Sequence, residues 1–387
     1  IYHLTNFRHY FVFSKADTYT CLLFLQNKKQ QSSLTYQEIR GLYKNKDEKI
    51  TYFLNEAKEN EDNFVIDEIE PHFLNEDKWY FMTEEEEKLF EKIRKNKKFQ
   101  DCFELNFQGL ITGMDDIYIL KLIEDKGKTR IFYSKKLDKN VEIESEITFN
   151  IIGDSNIDNY YIGKSDAYVI FPYKDGKLLE EKEIQKYKMC WDYLSIFKKE
   201  LKDREKGKFN NSGWYQYSRN QAIDKQRLSK ILIPHVVKRA RSAIDEEGSI
   251  FIKNVGVNGI TLKKEIKEDK KYLLSVLNST LATFFISKIS IFLSGGFYAT
   301  NKQFSGEIPI KQIDFNNKKE KESHDKIVAS VTNIIELKKK FNASKLTTDQ
   351  EIISRQIDAI EMQINSLIYE LYGINAKEQK LIEDSLK

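Results

Sequence analysis

Apolar spacing changes character along these 387 residues, and that change restricts the fold more than any other feature. Between Phe103 and Ile119 the pattern alternates. Phe103, Leu105 and Phe107 share one face, Gly109-Leu-Ile-Thr-Gly113 interrupts as a turn, and Ile117, Tyr118 and Ile119 resume. A period of two marks a strand with one buried face. From Thr348 to Tyr372, by contrast, Ile353, Ile357, Ile360, Ile364, Leu367, Ile368 and Leu371 recur at three- and four-residue steps, the stripe of a helix. A second helix is predicted from His324 to Phe341, and the two are expected to pair as an antiparallel hairpin. A chain of this length that carries both patterns is expected to build two or three domains rather than one.

The remaining segments follow the same logic. Residues 1–55 read as β structure: Phe11-Val-Phe13 leads to the apolar run Cys21-Leu-Leu-Phe-Leu25, stopped by polar residues from Gln26 to Ser33. A run this short predicts a strand buried on both faces of a helix-covered sheet, so these are expected to be the last strands of a larger α/β domain. The start at Ile1-Tyr-His-Leu4, with no polar lead-in, reads as a chain cut from something longer. From Asn55 to Lys98 the chain is charged. Thr83 precedes Glu84 to Glu87 and lysines crowd the end, which suits a solvated connecting helix aligned with its dipole. Short strands continue to Phe171-Pro-Tyr173. A helix is predicted from Glu181 to Arg204, with Tyr187, Trp191, Leu194 and Phe197 on one face, and the loop Gly207 to Gly213 then presents Trp214 and Tyr215. Ile231-Leu-Ile-Pro234 and Ser249-Ile-Phe-Ile252 read as strands, and Tyr272 to Ile289 as one apolar helix.

Composition excludes several classes. With 40% hydrophobic and 13% aromatic residues the chain has ample core material. Cys21, Cys102 and Cys190 are too scattered for a disulfide framework or a zinc site, which fits a reducing cytoplasm. No apolar run reaches the roughly 18 residues of a membrane helix and no secretory signal opens the chain, so a cytoplasmic protein with no membrane partner is expected. The net charge of +3 is uninformative, but its distribution is not. Gln185 to Lys263 holds 17 basic against 8 acidic residues, whereas residues 1–100 hold 16 against 18. A locally basic middle third is what a phosphate-facing surface requires; a lysine-rich solvated face is the plainer alternative.

Catalytic constellations are missing. The five histidines, His3, His9, His72, His235 and His324, are isolated, and no P-loop, H-E-x-x-H or G-x-S-x-G motif occurs. Asp67, Glu76 and Lys78 have nuclease-like spacing, which chance supplies in a chain 32% charged.

Several blocks in fixed order carry a family resemblance. Phe107-Gln-Gly-Leu-Ile-Thr-Gly-Met-Asp-Asp-Ile-Tyr-Ile119 resembles the signature that opens the TaqI-like C-terminal specificity domain of type II restriction-modification methylases. The helix Trp191 to Arg204, Gly213-Trp-Tyr215, Lys230-Ile-Leu-Ile-Pro234, the strand ending near Asn254, Tyr272 to Ser279, and Gly295-Gly-Phe-Tyr298 before Ile308-Pro-Ile310 follow in the same order. The first 30 residues resemble the end of the family's catalytic domain, where an aromatic precedes a strand like Thr20 to Leu25.

The resemblance implies an α/β fold class: the last strands of a Rossmann-like methyltransferase sheet in 1–55, a connecting helical segment in 56–100, a mixed α+β DNA target-recognition domain in 101–315, and a C-terminal helical hairpin in 316–387. It implies recognition of double-stranded DNA for adenine-N6 methylation in a type IIG-like system, with S-adenosylmethionine as methyl donor. The donor's Gly-rich loop and the catalytic Pro-Pro tetrapeptide are absent from this sequence, whose four prolines, Pro71, Pro172, Pro234 and Pro309, are all isolated. An upstream methyltransferase portion or subunit is therefore the expected partner, and the chain alone should neither bind the donor nor catalyse. A specificity or interaction subunit that docks through its hairpin is the alternative.

The resemblance makes Phe13 the stacking face for a base flipped out of the duplex, against the plain reading of a core phenylalanine. Thr112 and Gly113 are candidate DNA contacts, although Gly109 and Gly113 read first as turn glycines with positive φ. Trp214 and Tyr215 are placed at a groove, with packing as the alternative for Trp214, and Arg219 at a phosphate or base. Lys238, Arg239 and Arg241 after the Pro234 strand, and Asn301 with Lys302 after the Gly295-Gly296 loop, complete the set.

Overall fold

The computed structural model describes residues 1, 3–7, 20–27, 33–39, 64–69, 82–254, 256–293 and 295–386. Phe13 lies outside them, so its expected role has no structural counterpart.

The N-terminal strands form a mixed four-stranded sheet in the order Cys21–Phe24, His3–Asn6, Leu34–Ile39, Phe64–Ile69. His3–Asn6 runs antiparallel to Cys21–Phe24 and parallel to Leu34–Ile39. Two expectations are corrected here. Cys21–Phe24 is not buried on both faces: among the described residues it pairs only with His3–Asn6, and Leu23 is 44% exposed. A continuous apolar run is compatible with a central or an edge strand, and pairing decides between them. The sheet also draws its last strand, Phe64–Ile69, from the segment read as a connecting helix.

A helix does follow, at Glu84–Arg94, with the acidic first turn and basic last turn that the sequence suggested and a Thr83–Glu86 capping box that closes its start. It is not solvated all round. Leu89, Phe90 and Ile93 are buried, Phe90 stacks on Phe285 at 4.7 Å between centroids, and Lys92 reaches Glu378 at 2.8 Å. Its glutamates hid a narrow apolar stripe.

Two sheets organise the centre. A six-stranded sheet runs Phe251–Ile252, Thr148–Ile152, Ala167–Ile170, Ile119–Asp125, Thr129–Ser134, Lys139–Glu144. Its core gathers Phe132, Ile143, Val169, Cys190, Leu194, Trp214, Tyr215 and Tyr217. The helix expected from Glu181 to Arg204 is three pieces, Glu181–Ile184, Lys188–Ile196 and Lys198–Gly207, the last leaving helical geometry at Arg204 to Lys206. A four-stranded antiparallel sheet runs Ala243–Asp245, Lys230–Pro234, Val257–Leu262, Phe103–Gln108.

Helices cover that second sheet. The apolar stretch read as one helix is two, Lys270–Asn278 and Thr280–Ile289, bent by 60°. Ser279 makes the break by capping the second, its Oγ accepting from Ala282 N at 3.0 Å. Among the described residues no single helix is long and apolar enough to cross a membrane, and this bent pair is buried in the core. The hairpin is present as Lys318–Ala343 and Thr347–Leu371, and a third helix, Ala376–Asp384, follows unforeseen. Ile327, Val331, Ile334, Ile357, Ile364 and Ile368 all turn into the same core as the sheet.

Candidate nucleic-acid interface

The first block of the ordered series is bolted to a strand far away in sequence. Gly109 follows Phe103–Gln108, and Leu110 N donates to Ile252 O at 2.9 Å, joining the four-stranded sheet to the edge of the six-stranded one. A Cβ on Gly109 would lie 2.1 Å from the Ile252 carbonyl oxygen, so no other residue fits. The expectation of positive φ is therefore corrected for Gly109: close backbone approach imposes this glycine. At Gly113 the expectation holds, with φ +75° and a would-be Cβ 1.8 Å from Ser218 Oγ.

Ser218 belongs to a second block, and the two blocks are zipped together. Ser218 N donates to Thr112 O at 3.0 Å, and Arg219 N to Ile111 O at 3.4 Å. The buried Arg204 locks the join. Its Nη1 donates to Thr112 O at 3.1 Å, its Nη2 to Trp214 O at 3.2 Å and Gln216 O at 2.8 Å, and its Nε to Leu201 O at 2.9 Å. Its guanidinium stands over the Phe209 ring at 4.3 Å. Burial lowers its pKa from the ordinary arginine value, yet the charge persists and meets a ring of carbonyl dipoles. Seating it there takes Glu205 and Lys206 into left-handed backbone, φ 47° and 62°.

Three expected contacts sit behind this join and not on its surface. Trp214, Tyr215 and Thr112 are each 1% exposed. Trp214 packs against Trp191 and Tyr215, and Tyr215 O accepts from Tyr118 Oη at 2.8 Å. Thr112 Oγ1 donates to Asp115 and accepts from Met114 N, shaping the turn. Burial pushes the neighbouring Tyr217 and Tyr118 hydroxyls well above the usual tyrosine value. These side chains stiffen the rim; the groups it offers to a ligand are others.

Arg219 is exposed and held by an ion pair, its Nη1 2.7 Å from Glu205 Oε1. That hydrogen bond draws the Glu205 carboxyl below its usual value. Beside it Gln221 Nε2 donates to Gly109 O at 3.2 Å and to Asn254 Oδ1 at 3.0 Å.

The other expected residues gather at the same end of the four-stranded sheet. Pro234 pairs with Val257, and Asn258 with Gln108. Just past Pro234, His235 O accepts from Thr300 N at 2.6 Å, and the hairpin Phe292–Leu293 with Phe297–Ala299 pairs onto Val236–Val237. Lys238 and Arg239 are exposed, Lys238 lying over the Phe297 ring at 5.1 Å. They line a groove of about 700 Å³ with Lys288 and Tyr298, in which Glu86, Glu383 and Asp384 balance the cations. Arg241 is half-buried, and its Nε is buried with no partner. Asn301 caps the short helix Lys302–Ser305 by accepting from Gln303 N at 3.1 Å, so its oxygen is already engaged, while Lys302 is exposed. The structure thus brings Gly113 and Arg219 together on one side of the sheet end, and Lys238, Arg239 and Lys302 on the other.

Sequence reasoning missed Arg204, Gln221, Asn254 and Lys230. Lys230 is wholly buried, its Nζ 2.6 Å from Asp245 Oδ2 and 2.7 Å from Gln226 O. Two of the basic residues counted as surface charge are therefore structural. The only signal was that Lys230 opens a strand buried along its whole length. Among the described residues no cluster of His, Cys, Asp and Glu could hold a metal ion.

Comparison with known proteins bears on this same stretch. Residues 176–310 match the model of the TaqI-like C-terminal specificity domain, the resemblance that the ordered blocks suggested. Over 409 aligned residues the chain is 24% identical to the type II restriction enzyme and methyltransferase RM.Eco57I of Escherichia coli, covering 99% of this chain and 39% of that protein. Among solved structures it is similar to the type IIG restriction endonuclease BpuSI, with 14% identity and a TM-score of 0.40, over 96% of this chain and 44% of that one. The chain thus spans about two fifths of the length of the curated relative it matches.

Proposed function

We propose that this chain reads duplex DNA for a type II restriction-modification methyltransferase that methylates adenine at N6, with methyl transfer carried by a portion upstream. The observation that carries the reading is the join made by Arg204. It fastens the 107–113 and 213–219 blocks into one edge, and that edge presents Arg219, Gln221 and Asn254 at the sheet end that also carries the exposed Lys238, Arg239 and Lys302. Rigid backbone with exposed polar and cationic side chains suits a double helix, where phosphate contacts position the protein and base contacts specify the site. The division into trailing catalytic strands, connector, recognition domain at 101–315 and helical hairpin belongs to this proposal, as does Phe13 as the face on which a flipped adenine stacks.

S-adenosylmethionine is the methyl donor of such enzymes, and the residues present do not fit it. Residues 1–69, which contain all four strands of the N-terminal sheet, hold a single glycine, Gly41, so no Gly-rich loop follows a strand there. No step is assigned to the donor on this chain. The alternative of a docking subunit draws less support, because the apolar faces of the hairpin are already spent on the domain's own core.

Filter binding of the full chain to random-sequence duplexes at two salt concentrations tests the reading. Affinity should fall steeply with salt, as it does when phosphates are neutralised and counterions released. An absence of duplex affinity at low salt would overturn it.

A further inference from the structure

An amide pair, Gln221 exposed and Asn254 half-buried, crosses the seam between the two central sheets. Both Nε2 hydrogens of Gln221 are committed, one to Gly109 O and one to Asn254 Oδ1. Because a carbonyl only accepts, this network fixes the orientation of both amides. What is left is one acceptor, Gln221 Oε1, and one donor group, Asn254 Nδ2, on two side chains joined by a hydrogen bond. Among the described residues neither has a protein partner.

The backbone beneath them is stiff. Ala222 sits at φ 55°, a conformation a residue with a side chain keeps only where its surroundings impose it. The fully buried Gln226 supplies that constraint, its Nε2 donating to Ala222 O at 3.1 Å and its Oε1 accepting from Ile252 N at 2.9 Å. Lys230 Nζ in turn holds Gln226 O. The pair is presented at the surface by a buried polar chain that gives it little freedom.

We infer that Gln221 and Asn254 together read one adenine from the major groove; the inference rests on the DNA-recognition reading above. On its major-groove edge adenine sets a donor, N6, beside an acceptor, N7, the complement of an acceptor beside a donor. Guanine offers two acceptors, cytosine a donor, and thymine an acceptor with a methyl group. Arg219, exposed two residues before Gln221 and paired with Glu205, stands beside it as a cation that a phosphate can take over.

The full chain is used to select duplexes from a random-sequence library, and the selection is repeated with Gln221→Ala, Asn254→Ala and the shape-conserving Asn254→Asp. The unaltered chain should enrich a motif containing an adenine that each variant relaxes, at that position alone, with affinity for the motif falling roughly 5- to 100-fold and thermal melting unchanged. Replacing that adenine by 7-deazaadenine, which removes only N7, should weaken the unaltered chain and leave the two Asn254 variants as they were. Should the variants enrich the same motif unchanged at every position, the pair is only a brace; the inference then fails while the DNA-recognition reading stands. If the unaltered chain enriches no motif, the reading itself fails and the inference falls with it.

Discussion

The rim around Arg204 and the C-terminal helical layer are held by opposite means. In the helical layer Ile327, Ile334, Ile364 and Ile368 bury apolar surface, and each helix satisfies its own backbone internally. At the rim the backbone is irregular, and its carbonyls at Trp214 and Gln216 have no neighbouring strand to serve them. One cation inserted from Lys198–Gly207 does so instead. Loops displayed at a sheet's end leave stranded polar groups, and burying a charge among them gives a rigid edge where no repeating pattern exists. Gln226, Lys230 and Asp245 repeat the device behind Ala222 and Ile252.

The largest effect should come from breaking that second device. Lys230→Met leaves Asp245 buried with only the Ser249 and Ile250 amides and the Ser249 hydroxyl as donors. An uncompensated buried charge costs about 3–5 kcal/mol, measurable as a drop in the urea midpoint. Adding Asp245→Leu should recover much of the loss. If the double variant is no better than the single, the pair is not what holds the strand.

Two variants of similar stability cost should differ in consequence. Ile364→Ala in Thr347–Leu371 should cost about 2–4 kcal/mol through a cavity, and Arg204→Met about 2–4 kcal/mol through orphaned carbonyls. Below their unfolding midpoints, Ile364→Ala should keep duplex affinity, because its cavity lies in the helical core. Arg204→Met should lose most of it, because the 107–113 and 213–219 blocks come apart. Equal affinities in the two variants would dissolve the distinction between the regions.

The same contrast explains what could be read from sequence. The hairpin helices and the strands at Phe103–Gln108 and Lys230–Pro234 were legible because burial imposes a period on them. The break at Ser279 was not, since Leu-Asn-Ser-Thr continues an apolar helix as well as it ends one, until Ser279 turns its hydroxyl to the next amide. Gly109 and Gly113 were visible as special residues, but the reason for Gly109 is a carbonyl at Ile252 that only the tertiary pairing brings near. Arg204 and Lys230 were invisible as a matter of prior: both side chains default to solvent, and only their carbonyl partners overturn that. Trp214 and Tyr215 misled in the opposite direction, because an aromatic in a Gly/Asn-rich loop resembles a groove contact until the six-stranded sheet is seen to close over it.

A smaller effect tests the turn itself. Gly113→Ala places a side chain at φ +75° against Ser218, and left-handed backbone costs a non-glycine residue about 1–2 kcal/mol. Thermal melting of Gly113→Ala, alone and with Ser218→Gly, separates the two causes. The double variant should regain only the part due to the contact, and full recovery would mean that φ contributes nothing.

The smallest effect lies at the outermost pair of the rim, where stability is barely involved. Arg219 and Glu205 meet in solvent, and such pairs contribute little to folding, so neither Arg219→Ala nor Glu205→Gln should move the melting temperature. Their effect belongs to DNA. Glu205 occupies the guanidinium with an anion that a phosphate or a guanine would have to displace, so Glu205→Gln should raise duplex affinity by about two- to fivefold at low salt, the scale of an exposed ion pair. Arg219→Ala should lower affinity and, if the guanidinium meets a phosphate, reduce the slope of log affinity against log salt by about one. Both changes depend on the carboxylate charge. The folded pKa of Glu205 is depressed, so the competition from Glu205 is in force above the ordinary glutamate pKa and fades only as pH falls through that lowered value. The gain from Glu205→Gln should therefore be constant across neutral pH and shrink in acid. A gain that varied between pH 6 and 8 would show that the Glu205 carboxylate is not the competing anion.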